Sequence, residues 1–167
     1  MQAPRPQRTE SMDDFERWQT PPEIFEPLDA EFGFQVDAAA DPVTTRCRRF
    51  LTDALGPHEW PGARIWLNPP YGRKLEPFVR RAAAEADKGK TIVALIPFRC
   101  RAAWWHECVL GRASEVRCVR KRIRFVRPDG SRGKYVGTCD SCIVIWRGTR
   151  GPTSMTGFTA QNHKKRP

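Results

Sequence analysis

The sequence predicts a single α/β domain whose mostly parallel, open sheet is covered by helices on both faces. Three observations carry that expectation. Apolar runs of strand length alternate with stretches of helical periodicity. The connections between them are short, which implies right-handed crossovers. Residues 91–96 form a near-continuous apolar run, as a central parallel strand buried on both faces requires. A chain of 167 residues is the length of one domain and is large enough for a real core.

The elements follow in chain order. Residues 1–12 are polar and Pro-rich and are expected to be a disordered leader; residues 150–167 read as a basic disordered tail, leaving 13–149 as the folded domain. Thr20 is expected to cap the first helix, with Pro21 at the first helical position and Glu23 close by. Ile24, Phe25 and Leu28 then recur at helical spacing until Gly33 stops the run. Residues 34–38 form a short buried strand ending on Asp37, and residues 64–67 a second strand that delivers the turn Asn68-Pro69-Pro70-Tyr71. A helix is expected over 74–88, with Leu75, Phe78, Val79, Ala82 and Ala86 on one face, and another over 102–110. Further strands are expected at 116–119, 123–126 and 142–146. Ligands of open α/β sheets bind beyond the carboxyl ends of the strands, and Asp37 and Asn68 both fall at such ends.

Composition narrows the partner. Lys and Arg number 29 against 19 Asp and Glu, a net charge of +10. A chain this basic points to nucleic acid, because clustered cations neutralise phosphates. The first ten residues hold no apolar stretch, and no run approaches the roughly 18 apolar residues a membrane span needs, so a cytoplasmic protein is expected. Of the six cysteines, Cys139 and Cys142 have a zinc-like spacing, yet no second pair or histidine set completes it, and they read as ordinary thiols.

The turn Asn68-Pro69-Pro70-Tyr71 suits a demanding reaction, methyl transfer to a planar, weakly nucleophilic NH2 group. The lone pair of such an amine is delocalised. Two acceptors on its two N–H groups, the Asn68 side-chain oxygen and the Pro69 carbonyl, can localise that pair and aim it at an electrophile. Pro69 and Pro70 fix the turn in advance, and Tyr71 offers a flat face on which an extruded base can stack.

The chain resembles the phage-type DNA N6-adenine methyltransferases, which depend on S-adenosylmethionine. The resemblance spans residues 18–146. It rests on Trp18-Gln19-Thr20-Pro21-Pro22, on Phe32-Gly33-Phe34-Gln35-Val36-Asp37-Ala38-Ala39-Ala40-Asp41, and on Trp60 ahead of Ile65-Trp66-Leu67-Asn68-Pro69-Pro70-Tyr71-Gly72. Val93-Ala94-Leu95-Ile96-Pro97, Trp104-Trp105-His106 and Arg122-Ile123-Arg124-Phe125 complete it. It implies a Rossmann-like methyltransferase domain with an antiparallel part near the C-terminal strand, and catalysis by Asn68, Pro69, Pro70 and Tyr71. It also implies a cofactor site containing Trp18, with Thr20 and Pro21 at the cofactor's amino-acid end and Asp37 on its ammonium or a ribose hydroxyl. Ala39 would allow close approach, and Asp41 and Asp53 are candidates for ribose or adenine. The Ala38-Ala39-Ala40 run departs from the glycine-rich turn common in methyltransferases, so that turn takes a different backbone path.

Double-stranded DNA is the expected partner, with no obligate protein partner evident and no metal. Arg73, Arg99 and Arg101 follow strand ends and are expected to contact phosphate. Arg122, Arg124, Arg132 and Lys134 belong to a basic strand and hairpin that could enter a groove. Four other readings remain open on residues alone. Cytosine N4, an RNA base or a protein glutamine would offer a similar amine, and a non-catalytic α/β DNA-binding domain would account for the charge.

Overall fold

Pro21 holds extended backbone (φ −65°, ψ 146°) at the entry to α1 (Pro22–Phe32), and Gly33 ends that helix in the left-handed region at φ 62°. In the computed structural model, which describes residues 18–132 and 140–160, the helix opens differently from the sequence expectation. Pro21, not Thr20, is the N-cap; its carbonyl accepts the first helical N–H groups, from Ile24 and Phe25, at 3.0 and 3.1 Å. Two successive prolines push the helix start one residue along, so the Thr20 side chain is buried instead of capping.

Seven strands form one sheet. They are β1 (Val36–Asp37), β2 (Arg49–Phe50), β3 (Arg64–Leu67), β4 (Thr91–Pro97), β5 (Glu115–Val119), β6 (Ser141–Trp146) and β7 (Ser154–Phe158), in the order β2-β1-β3-β4-β6-β5-β7. β6 runs antiparallel to both neighbours, and every other pairing is parallel. The expectation of a mostly parallel sheet with an antiparallel C-terminal part is met. Six strands therefore end at one edge, and β6 begins there.

Strand alternation divides the core into two layers. Ile65, Leu67, Ile92, Ala94 and Ile96 pack against α2 (Leu75–Ala86) and α3 (Ala103–Cys108). Trp66, Val93, Leu95, Ile143 and Ile145 face Ile24, Phe25 and Leu28 of α1. Both faces thus carry helices, although only three are present among the described residues. At the edge opposite the strand ends, the buried Glu85 carboxylate receives Lys90 at 2.6 Å and Lys88 and Arg81 at 3.0 Å. Lys90 also meets Glu59 at 2.8 Å.

Two expectations change. Among the described residues no strand is found at 123–126. Ile123 and Phe125 are buried against the α1 side of the sheet, but among the described residues the segment meets neighbouring backbone only through Val126, which bridges Gln19 and Arg132. Conversely, β7 lies within the stretch expected to be a disordered tail, paired to β5 over five residues. Residues 1–17, 133–139 and 161–167, which include the expected leader, Lys134, Cys139 and the basic end of the tail, lie outside the described residues.

Candidate active site

β1 and β3 are adjacent and in register, with Asp37 opposite Trp66, so the segments that leave their carboxyl ends emerge side by side. Between them opens a small, partly solvent-open cavity. Five of the expected residues line it: Trp18, Thr20, Asp37, Ala39 and Asn68. The Asn-Pro-Pro-Tyr turn and the first acidic strand end therefore share one site. Gln19, Thr44, Arg46 and Trp66 line it as well; Gln19 and Trp66 belong to the motifs given above, whereas Thr44 and Arg46 stand in none of them.

Asp37 is only 3% exposed. Burial pushes its carboxyl up from an ordinary 3.8 to about 6, against the opposing pull of backbone N–H bonds from Arg46 and Ala39 and of the Arg46 charge. The bonds measure 3.0 Å from Arg46 N and 3.4 Å from Ala39 N. Arg46 also donates through Nη2 to the Thr20 carbonyl, tying the loop after β1 to the segment that precedes α1. Three buried polar atoms of cavity residues lack a hydrogen-bond partner among the described residues: Thr20 Oγ1, Arg46 Nε and Trp66 Nε1. Buried polar groups left unpaired cost free energy, so such a cluster suits a polar ligand. A buried carboxylate, a guanidinium and a hydroxyl fit the zwitterionic amino-acid end of S-adenosylmethionine.

The remaining expected cofactor residues sit differently. Pro21 is buried at the helix entry. Asp41 is engaged in its own turn: Oδ1 accepts Val43 N at 2.8 Å, Thr44 N at 2.9 Å and Thr44 Oγ1 at 3.1 Å. Asp53 is exposed beyond β2, and neither aspartate lines the cavity.

Around Asn68, Pro69 is buried while Asn68, Pro70 and Tyr71 are half-buried. Tyr71 meets Phe125 edge to face, ring centroids 6.0 Å apart, and its hydroxyl lies 3.5 Å from the Leu95 carbonyl. Segment 120–132, which leaves the carboxyl end of β5, thus packs against the turn. It is fixed further by the Gln19–Val126 bridge and by Arg127 over the Trp18 ring at 5.6 Å. Arg73, Arg99, Arg101, Arg122 and Arg124 are exposed and follow the ends of β3, β4 and β5 on this same edge. Arg132 instead makes a two-pronged ion pair with Glu23 of α1, the second contact at 3.0 Å.

A mixed α/β sheet with this cavity beneath an Asn-Pro-Pro-Tyr turn is compatible with a methyltransferase-like fold. The chain belongs to the DNA N-6-adenine-methyltransferase (Dam) family, which matches residues 7–166. It is similar to the DNA N-6-adenine-methyltransferase of Haemophilus phage HP1 (strain HP1c1), 30% identical over 118 residues that make up 68% of each chain. It is also similar to the enzyme of the same description from Escherichia phage T1, 32% identical over 94 residues, 54% of this chain and 39% of that protein. No helix among the described residues is long and apolar enough to cross a membrane.

Proposed function

We propose that this protein is an adenine-specific DNA methyltransferase that uses S-adenosylmethionine to methylate the N6 amine of an adenine extruded from duplex DNA. The observation that carries the reading is the convergence of Asn68 and the buried Asp37 on one cavity at the carboxyl edge of the sheet. The family and its phage relatives supply the acceptor class. The strand order, with β6 reversed between β4 and β5, supports a Rossmann-like methyltransferase domain.

Trp18, Thr20, Asp37 and Ala39 would hold the cofactor, Asp37 facing its ammonium. When bound, S-adenosylmethionine supplies an electrophilic methyl group on a sulfonium. Asn68 Oδ1 and the Pro69 carbonyl accept the two N–H groups of the adenine amine and direct its lone pair into the cavity. Proton loss to water after the N–C bond forms requires no buried base. Tyr71, braced edge-on by Phe125, stacks on the extruded base, and stacking of this kind returns roughly 1–3 kcal/mol of the cost of extrusion. Arg73, Arg99, Arg101, Arg122 and Arg124 contact phosphate along the same edge.

Incubation with methyl-labelled S-adenosylmethionine and unmethylated duplex DNA, followed by digestion to nucleosides, tests the reading. Label is expected in N6-methyl-2′-deoxyadenosine and is lost with Asn68→Ala, while cofactor affinity changes less than about threefold. Label in N4-methylcytosine, or wild-type turnover by Asn68→Ala, contradicts it.

A further inference from the structure

The loop between β1 and β2 supplies the cavity with a charge that no sequence motif announced. We propose that Arg46 binds the carboxylate of the methyl donor's methionine end, so that the zwitterion is held between Arg46 and Asp37. The inference rests on the cofactor reading above and adds to it a residue that decides which donors the site accepts.

Four observations converge. Arg46 and Asp37 line the same cavity, one positive and one negative, as a ligand bearing one ammonium and one carboxylate requires. Among the described residues no salt bridge joins the two side chains; Asp37 is instead met by the Arg46 backbone N–H at 3.0 Å. Neither side chain is thus consumed in a direct ion pair with the other. Arg46 spends Nη2 on the Thr20 carbonyl, while its buried Nε has no partner among the described residues. A guanidinium carries five N–H donors, so a forked contact to a carboxylate remains open to it. Finally, the hydroxyl of Thr20, whose carbonyl anchors Arg46, is itself buried and unpartnered, and it can join the same carboxylate.

The loop that presents Arg46 is fixed before any ligand arrives. Asp41 Oδ1 closes the turn over Val43 and Thr44, and Gln19 Nε2 donates to the Val43 carbonyl at 2.6 Å. Asp41, expected from sequence to touch ribose, acts in this account as a positioning residue for Arg46. Preorganisation of this kind reduces the ordering cost of binding.

The test compares three ligands on wild type, Arg46→Gln and Arg46→Lys: S-adenosylmethionine, its decarboxylated analogue, and 5′-methylthioadenosine, which lacks the whole amino-acid end. Binding is read by tryptophan fluorescence, since Trp18 and Trp66 line the cavity, and by calorimetry. Wild type is expected to prefer S-adenosylmethionine over the decarboxylated ligand by at least about tenfold, the usual scale of a charge-assisted bond. Arg46→Gln should erase that preference and leave the other two ligands within about twofold. Arg46→Lys keeps the charge without the fork and should fall between them, which preserves the test if Arg46→Gln does not fold. Equal weakening of all three ligands by either variant would mean that Arg46 merely supports Thr20, and the proposal fails. A wild type that does not distinguish the carboxylate also overturns it. A wild type that binds none of the three overturns the cofactor reading itself, a distinct result.

Discussion

Lowering the pH from 7.5 to 5 should weaken binding of S-adenosylmethionine about tenfold without loosening the fold. The perturbation acts on Asp37, whose burial raises its carboxyl from 3.8 to about 6. With that value about 97% of the carboxyls are ionised at pH 7.5 and about 9% at pH 5, while the larger part of the ligand's own α-ammonium stays charged across the range. If Asp37 must be ionised to meet the ammonium, affinity falls in proportion, and binding at pH 5 releases about 0.9 proton. The sign for stability is opposite. A carboxyl whose folded value is raised favours the folded state below its unfolded value, and that contribution is lost as pH climbs from 3.8 to about 6. This single group makes the unliganded protein about 3 kcal/mol more stable at low pH than at neutral pH. Weaker binding at pH 5 therefore cannot be ascribed to unfolding by Asp37. Calorimetric titration at both pH values, in two buffers of different ionisation enthalpy, gives affinity and proton release together. Asp37→Asn should flatten the profile. Equal wild-type affinity at both pH values, with no proton exchanged, would refute the placement of Asp37 against the ammonium.

Other consequences can be checked by stability measurements. Glu85→Gln should cost about 3 kcal/mol in urea unfolding, because it leaves the buried Lys90 ammonium with only the more exposed Glu59 as an anionic partner. Burial drives the Glu85 carboxyl up, but hydrogen bonds from Lys90 and Lys88 outweigh it and hold the group below its ordinary value. Its stabilisation is therefore present above the ordinary carboxylate range and is lost as pH falls through that lowered value, so the deficit of Glu85→Gln should shrink in acid. Gly148→Ala should destabilise by more than about 2 kcal/mol, since φ is 73° and the new Cβ would stand 2.7 Å from the Ala86 carbonyl oxygen. Gly130→Ala, at φ 80° with nothing within 4 Å, should cost only about 1–2 kcal/mol; equal losses at the two sites would contradict the packing argument.

What the sequence revealed followed burial. β3, β4 and β6 are almost wholly buried, so their apolar runs were plain. β7 pairs along one side only and leaves most of its residues exposed, so no alternation marked it, and its stretch resembled a tail. Ile123 and Phe125 show apolar alternation with no strand among the described residues, and their burial packs segment 120–132 against the Asn-Pro-Pro-Tyr turn. In the cavity, Asp37 and Asn68 were legible because each ends a strand. Arg46 was not. Its place depends on the closure of the turn at Asp41, which folds an otherwise featureless loop back onto β1, and no spacing rule reports that.

The reversed strand β6 has a consequence for how the protein is made. It supplies the middle of the sheet, paired with β4 over six residues and with β5 over four, yet it is encoded near the end of the chain. Until residues 141–146 leave the ribosome, β4 presents an open, wholly apolar edge and β5 has no antiparallel partner. The N-terminal four-fifths of the chain therefore cannot complete a stable sheet ahead of the rest, and folding must wait for nearly the whole polypeptide. Chains truncated before Ser141 would expose the most aggregation-prone edge in the molecule, so a premature stop there yields insoluble product instead of a partly active enzyme.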